Sequence, residues 1–321
     1  MSELDVPAWA WGLLAGLMLL LVSIDLFAHR GDRLDSRRRA LGWSVVWIAV
    51  AVGFGVFVAG WFGAAAAEQY FAAYLLEKSL SVDNLFLFLV VFTALRIPAA
   101  EQRRVLTCGI VGALVTRGLF IGVGAAALHR WHEITYVFGG ILVVTALHML
   151  RPSDGTSQRL LPWLERHLPW TQERAGHHFV VRRDGRWLAT PLLLALIAIE
   201  LTDVVFALDS IPAAFAVSEE PFIVYSSNVF AVLGLRALYV VLAGAIAELR
   251  YLRFGLSAVL GFAGAKLLVA PWIAIAPLVS VAVIGAMIGV AVAASLIAAR
   301  RERGAPRRAP SLPDHPVNTT R

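Results

Sequence analysis

The chain has 321 residues, of which 59% are hydrophobic and only 16% are charged. This composition is far more apolar than that of soluble domains and indicates an integral membrane protein in a lipid bilayer. The net charge of +6 does not indicate nucleic-acid binding, because the arginines are grouped between apolar segments, where they set membrane topology. The single cysteine, Cys108, excludes an intrachain disulfide.

Nine segments are long enough to cross a bilayer as helices of about 20 residues. The first is not a cleaved signal peptide, because basic residues follow its apolar run instead of preceding it. The sequence therefore predicts an all-α, polytopic membrane helix bundle. The predicted spans are residues 7–28, 41–62, 70–95, 105–128, 134–150, 189–217, 222–247, 254–270 and 273–299.

Basic residues predict the orientation of the chain. Nearly all of them lie in the stretches that follow odd-numbered spans, whereas the loops after even-numbered spans contain only Arg130. Since basic loops stay in the cytoplasm, we expect the N-terminus outside and the C-terminus in the cytoplasm. Residues 151–188 form a polar, basic cytoplasmic loop, and residues 300–321, rich in Arg and Pro, are predicted to be a disordered tail.

Carboxylates interrupt two predicted spans, and each costs about 2.5–3.5 kcal/mol at the centre of a bilayer. Such a cost indicates that these residues bind something. In both spans an acid is followed six residues later by Asp and then by a small hydrogen-bonding residue, which is Asn84 in the first copy and Ser210 in the second. The acids are Glu77 and Asp83 in the third span and Glu200, Asp203 and Asp209 in the sixth.

The two acidic stretches belong to two related halves. Glu77 matches Asp203 at an offset of 126 residues, and Arg117 matches Arg236 at an offset of 119. Similar offsets predict a duplicated unit of three spans, and an odd number of spans inverts the second copy. Transporters with inverted repeats commonly bind their substrate near the midplane, at the interface of the repeats. The predicted units are two peripheral spans (1–69), the first repeat (70–150), the cytoplasmic loop (151–188), the inverted repeat (189–270), the ninth span (271–299) and the tail (300–321).

The polar residues of both stretches predict a metal site with oxygen ligands. Residues six apart on a straight helix are rotated by about 240°, so the paired acids converge only where the helix is interrupted. Pro212 lacks an N–H and would free the carbonyl of Leu208 beside Asp209. Carboxylates, freed carbonyls and the side chains of Asn84 and Ser210 suit Mn²⁺, Ca²⁺ or Mg²⁺. We expect the cation to be transported, with no permanently bound cofactor.

Basic residues within the spans leave a second interpretation open, in which the acids form structural ion pairs. Metal ligation is favoured for Asp83 and Asp209, whereas Glu77, Asp203 and Glu200 remain open between the two roles. Two arginines are predicted to pair with acids when the site is empty, and two lysines to pair or to extend towards the membrane surface. These residues are Arg117 and Arg236, and Lys78 and Lys266. The same carboxylates could carry protons, which an arriving divalent cation would displace.

Three stretches resemble signature segments of the TerC/Alx family. They are Glu-Lys-Ser-Leu-Ser-Val-Asp-Asn-Leu-Phe at 77–86, Glu-Leu-Thr-Asp-Val-Val-Phe-Ala-Leu-Asp-Ser-Ile-Pro-Ala at 200–213, and the segment at 222–239. The resemblance implies a bacterial inner-membrane protein related to LysE-type transporters, in a family named for tellurium resistance with members implicated in manganese, sometimes calcium, efflux. It also adds Asn228 to the site residues. His148 departs from the pattern, in which a lysine is expected.

These observations favour a transporter that exports a divalent cation, with Mn²⁺ preferred and Ca²⁺ as the alternative, in exchange for protons. A second hypothesis is a membrane scaffold of a tellurite or metal stress-resistance complex that docks acidic partners through the basic loop. A third, an intramembrane di-aspartate protease, lacks the expected Gly-x-Gly-Asp motif. We therefore expect no enzymatic activity. The oligomeric state is left open by the sequence.

Overall fold

The computed structural model describes residues 4–28, 37–131, 133–150, 156–172, 176, 178–183, 185–242, 251–273 and 275–304. Within these residues the chain forms eleven helices and one two-stranded hairpin. The helices are α1 (Ala8–Ala28), α2 (Arg37–Phe62), α3 (Ala64–Ala94), α4 (Ala99–Arg130), α5 (Ile134–Leu150), α6 (Thr156–His167), α7 (Pro191–Phe215), α8 (Pro221–Leu233), α9 (Leu235–Leu242), α10 (Leu252–Val269) and α11 (Pro277–Gly304). The strands are β1 (Val180–Arg183) and β2 (Arg186–Ala189).

Seven described helical segments are long and apolar enough to cross a membrane. They are α1, α2, α4, α7, α8 together with α9, α10 and α11. Large apolar side chains on these helices face outwards, as Val115 at 67% exposure and Val290 at 70% illustrate, and such surfaces suit lipid. The predicted all-α polytopic membrane protein is confirmed. The count of nine spans and the inverted repeats stay predictions, since α5 is short and α3 carries charged side chains.

Helix α3 lies at the centre of the bundle, where it packs against α2, α7, α8 and α11. Helices α5 and α10 form another extensive contact. At their crossing a Cβ added to Gly264 would lie 2.9 Å from the carbonyl oxygen of Gly139. Glycine on both helices therefore allows the two backbones to approach closely, as is common between membrane helices.

The predicted interruption of the sixth span at Pro212 is wrong. Helix α7 continues through Pro212 to Phe215, and α3 is continuous as well. Pro212 lies near the end of α7, where the loss of one N–H removes only one hydrogen bond. Its own carbonyl still accepts a hydrogen bond from the N–H of Ala216, at 2.9 Å.

A break occurs instead within the predicted seventh span, at Gly234 between α8 and α9. The carbonyl of Ala231, in the last turn of α8, accepts a hydrogen bond from Lys78 Nζ at 3.0 Å. The last carbonyls of a helix lack backbone donors, and a cation at this end interacts favourably with the helix dipole. Lys78 thus stabilises the end of α8 from the neighbouring helix α3.

The basic loop 151–188 contains regular structure. Helix α6 contributes the buried side chains of Leu161 and Leu164 to the main hydrophobic core. Strands β1 and β2 pair antiparallel, and Gly185 in the connecting turn has a φ of 79°, a conformation that glycine adopts without strain. The hairpin leads directly into α7, which begins with Pro191 at its first position. The predicted tail lies mostly outside the described residues, although α11 extends to Gly304.

Candidate functional site

Arg117 of α4 is 1% exposed and joins two acids from different parts of the chain. Its Nη1 donates to Glu77 Oε1 of α3. Its Nε and Nη2 donate to Asp203 Oδ2 and Oδ1 of α7, at 3.2 and 2.9 Å. Asp203 Oδ1 also accepts a hydrogen bond from Asn84 Nδ2 of α3, at 3.3 Å. We refer to Glu77, Asn84, Arg117 and Asp203 as the acid cluster.

The geometry around Asp203 is the two-point contact between a guanidinium and a carboxylate, which is among the strongest charge-assisted hydrogen bonds. All four members of the cluster are buried. Burial of charges is costly unless they are paired, and removal of one partner from such a pair is strongly destabilising. The acid cluster therefore requires Arg117, or another cation, between its carboxylates.

Two hydrogen bonds define how α3 and α7 pair. Ser218 Oγ, just beyond α7, donates to Gln69 Oε1 at 2.6 Å. Asn84 lies fifteen residues after Gln69, and Asp203 lies fifteen residues before Ser218. These two residues also form a hydrogen bond. The two helices are thus antiparallel over about 22 Å. The same pairing places Glu77 level with Ser210.

Several buried polar atoms near the acid cluster have no hydrogen-bond partner among the described residues. These atoms are Glu77 Oε2, Ser81 Oγ, Ser210 Oγ, and Oδ1 and Nδ2 of Asn228. A buried polar group without a partner costs about 1–3 kcal/mol, so native proteins retain few of them. Most of these atoms are oxygens that could accept a hydrogen bond or coordinate a cation.

The positions of these unpartnered groups follow from helix geometry. Glu77, Ser81 and Asn84 lie on one face of α3, because they are four and seven residues apart. Ser210 is level with Glu77 in the pairing of α3 with α7. Asn228 lies on α8, which packs against both α3 and α4.

Asn228 of α8 is 2% exposed, and the packing of α8 against α4 relates it to Arg117. A Cβ added to Gly118, which follows Arg117, would lie 3.1 Å from the ring of Tyr225. Asn228 comes three residues after Tyr225, so it lies on the same side of α8, less than one turn further on. Asn228 therefore follows, by less than one turn, a residue that contacts α4 next to Arg117.

Glu200 lies one turn before Asp203 on α7 and is half-buried. Its carboxylate packs against the backbone of α4 at Gly112, where an added Cβ would collide with it. Gly109, one turn earlier on α4, also approaches this side chain. The small residues of α4 thus accommodate Glu200 beside the acid cluster.

Asp83 and Asp209, the two residues for which metal ligation is favoured by sequence, are placed differently. The side chain of Asp83 lies outside the described residues, and its backbone belongs to α3. Asp209 is half-buried on α7. Because α7 is continuous, Asp209 is rotated by about 240° from Asp203 and does not share its face. Among the described side chains, no group of three His, Cys, Asp or Glu could hold a metal ion.

Arg236 lies against Asp25, an acid outside both motifs. Its Nη1 lies 3.3 Å from Asp25 Oδ2, and its Nη2 donates to the Asp25 carbonyl at 3.4 Å. Arg236 is on α9, beyond the break at Gly234, and α9 packs against α2. Sequence reasoning missed Asp25, although it is the only charged residue of α1.

The two lysines within the predicted spans contact uncharged acceptors. Lys78 donates to the Ala231 carbonyl, as described above. Lys266 Nζ of α10 donates to Ser280 Oγ of α11 at 3.0 Å. Both ammonium groups therefore connect neighbouring helices.

Known proteins similar to this chain were found along most of its length. The chain is 43% identical over 311 residues to an uncharacterized membrane protein of Myxococcus xanthus, STKORF319. The aligned residues cover 95% of this chain and 96% of that protein. It is 40% identical over 290 residues to the "Putative membrane-bound redox modulator Alx" of Escherichia coli K12, with 85% and 90% coverage. No solved structure matches the chain.

The family model described as "Integral membrane protein TerC family" matches residues 62–303. The matched region contains α3 to α11, including every member of the acid cluster. The resemblance noted from the three sequence motifs is thereby confirmed. The chain belongs to the TerC family of integral membrane proteins.

Proposed function

We propose that this protein exports a divalent metal cation, with Mn²⁺ as the preferred cargo, across the bacterial inner membrane. The observation that carries the proposal is the acid cluster, in which Glu77 and Asp203 from the two predicted halves share one buried cation, Arg117. A site that already binds one cation with carboxylates has the charge and burial that a cargo cation needs. The cation is cargo, and we assign the protein neither a resident cofactor nor a catalytic role.

The donor atoms support a hard divalent cation. Carboxylate, amide and hydroxyl oxygens surround the cluster, and its members include neither Cys nor His. Such ligands suit Mn²⁺, Ca²⁺ and Mg²⁺ better than Cu⁺ or a thiolate-bound zinc. The preference for Mn²⁺ within this group comes from the family resemblance, and Ca²⁺ is the alternative.

Proton exchange is the coupling that we propose. When the cation leaves for the outside, Arg117 provides one positive charge for the three carboxylates of Glu77, Asp203 and Glu200. Protons can then neutralise the remaining negative charge in a low-dielectric interior, and their later release would permit the next cation to bind. The basic loops are consistent with a cytoplasmic C-terminus and an external N-terminus.

The name of the Escherichia coli relative describes a redox modulator. The 321 residues of this chain contain one cysteine, Cys108, so an intrachain dithiol–disulfide couple is not available to it. The buried acids instead favour ion transport.

Transport by purified protein in liposomes tests the proposal. We expect flux of Mn²⁺ that responds to an imposed pH gradient and exceeds the flux of Ca²⁺ and Mg²⁺. Asp203→Asn removes the carboxylate that receives two hydrogen bonds from Arg117 and should abolish this flux. Asp25→Asn is the matched control, since Asp25 is also buried against an arginine but lies outside the acid cluster.

Wild-type flux equal to that of protein-free liposomes would contradict the proposal. Equal flux through the wild type and the Asp203→Asn variant would contradict the assignment of the site. Flux that ignores the pH gradient would remove proton coupling but leave metal export in place.

A further inference from the structure

The acid cluster contains one positive charge for two carboxylates. Arg117 uses two donors on Asp203 and one on Glu77. Glu77 Oε2 has no hydrogen-bond partner within the described part of the chain, and the same is true of Ser210 Oγ and Asn228 Oδ1. Arg117 therefore satisfies part of the available oxygen set and leaves the rest unused.

We infer that Arg117 is an internal competitor of the cargo cation that sets a minimum charge for cargo. It holds the acids when cargo is absent and leaves the cluster when a divalent cation binds. Monovalent cations are excluded because they do not displace it. This inference rests on the proposed transport function and specifies which ions the site accepts.

Coulomb attraction to the carboxylates favours a divalent cation over a monovalent one as a competitor of Arg117. A sodium or potassium ion carries the same single charge as the guanidinium, which also makes three hydrogen bonds to carboxylate oxygens. A divalent cation doubles the attraction to each carboxylate at the same distance. The guanidinium is a fixed, planar group, so exchange of Arg117 for an ion also replaces directional contacts with a compact charge.

The number of ligands that a cation takes also favours a divalent cation over Arg117. Mg²⁺ and Ca²⁺ take six or more oxygen ligands. The oxygens of Glu77, Ser210 and Asn228 that Arg117 leaves without a partner are available to complete such a shell. Arg117 itself gains nothing from them in the arrangement that the structure describes.

The other half of the chain provides a control for this inference. Arg236 occupies the corresponding position in the predicted second half, is 5% exposed, and contacts Asp25. Its loss should also destabilise the fold, because a buried contact between an arginine and an acid is removed. It should not change which ions the acid cluster accepts.

Thermal unfolding of purified protein in detergent, with choline chloride, NaCl, KCl or MnCl₂, tests the inference. For the wild type we expect Mn²⁺ to raise the Tm and the monovalent ions to have no effect beyond that of choline. Arg117→Gln should lower the Tm in choline, and Na⁺, K⁺ and Mn²⁺ should each restore it. The apparent affinity for Mn²⁺ should rise about tenfold, which is a typical size for such a coupling. Arg236→Gln should lower the Tm but keep the wild-type response to ions.

Arg117→Lys tests the same point if the glutamine variant does not fold. Lysine keeps the charge but loses the two-point contact, so its affinity for Mn²⁺ should rise severalfold while Na⁺ remains ineffective. If Mn²⁺ stabilises the wild type but both Arg117 variants show the wild-type ion response, Arg117 is not a competitor, although the transport proposal stands. If Mn²⁺ stabilises neither the wild type nor any variant, the transport proposal fails and the inference fails with it.

Discussion

Arg117 and Arg236 are predicted from sequence to occupy corresponding positions in two halves of the chain, and their surroundings in the structure differ. Arg117 lies in the long continuous helix α4 and contacts acids on α3 and α7. Arg236 lies in the short helix α9, beyond the break at Gly234, and contacts Asp25 on α1. One arginine thus lies within the acid cluster, and the other lies against α1.

The two arginines therefore have different roles in the structure. Arg117 joins the buried acids Glu77 and Asp203, which come from the two predicted halves. In the second half, the break at Gly234 separates the arginine from α8, and its ion pair joins α9 to α1. We expect the first arginine to control the cargo site and the second to hold α1 against the bundle.

The largest loss of stability and of transport should come from a change at Asp203, the two-point partner of Arg117. Asp203→Asn removes the two-point contact of Arg117 and leaves it only Glu77 in the acid cluster. It should lower the free energy of unfolding by about 3–5 kcal/mol, because two hydrogen bonds between buried charged groups are lost, each worth about 1.5–3 kcal/mol. It should also remove Mn²⁺ transport. Denaturant unfolding in detergent and flux into liposomes measure the two effects.

Asp25→Asn is the comparison variant. It should destabilise the protein because the buried contact between Arg236 and the Asp25 carboxylate is lost, but at least half of the transport should remain. If Asp25→Asn stops transport as completely as Asp203→Asn, the functional distinction between the two arginines is wrong.

An intermediate effect should come from the contact between α5 and α10, where the two predicted halves meet. Gly264→Ala places a Cβ against the Gly139 carbonyl and the Leu142 side chain, at 2.9 Å from each. Overpacking of this kind costs about 1–3 kcal/mol. Gly140→Ala is the matched control, because a Cβ there meets no atom within 4 Å. Equal unfolding free energies for the two variants would argue against close packing at this crossing.

The smallest loss of stability should come from a change at Lys78, which contacts the end of α8 at the break before Arg236. Lys78→Met removes the donor to the Ala231 carbonyl and should destabilise the protein by about 1 kcal/mol, a typical value for a hydrogen bond or a helix-dipole contact. Lys266→Met removes a hydrogen bond to a hydroxyl and should cost less. Thermal unfolding of both variants measures the difference. A larger loss for Lys266→Met would show that Lys78 does not stabilise the end of α8.

The membrane class and the helices could be predicted from sequence, because only helices and closed barrels satisfy the backbone in lipid. The buried acids were also evident, since charges are rare in apolar spans. Their partners were not predictable. The contact between Arg117 and Asp203 depends on how α4 and α7 pack, and a single sequence contains no signal for that packing.

Other features left signals that could have been used. Asp25 is the one charged residue in the first apolar span, and it predicts a buried partner. Asp184-Gly185 between two short segments rich in Val, Arg and Trp is a typical hairpin signal. The break at Gly234 had weaker support, because a single glycine is tolerated within a membrane helix.

Binding of Mn²⁺ to purified protein, followed by the loss of the electron paramagnetic resonance signal of free Mn²⁺, tests the central claim most directly. The account predicts saturable binding of one ion per chain in the wild type, and loss of this binding in both Glu77→Gln and Asp203→Asn, because one site draws on acids from both halves. Asp25→Asn should bind as the wild type does. Wild-type binding in either the Glu77→Gln or the Asp203→Asn variant would contradict a shared site.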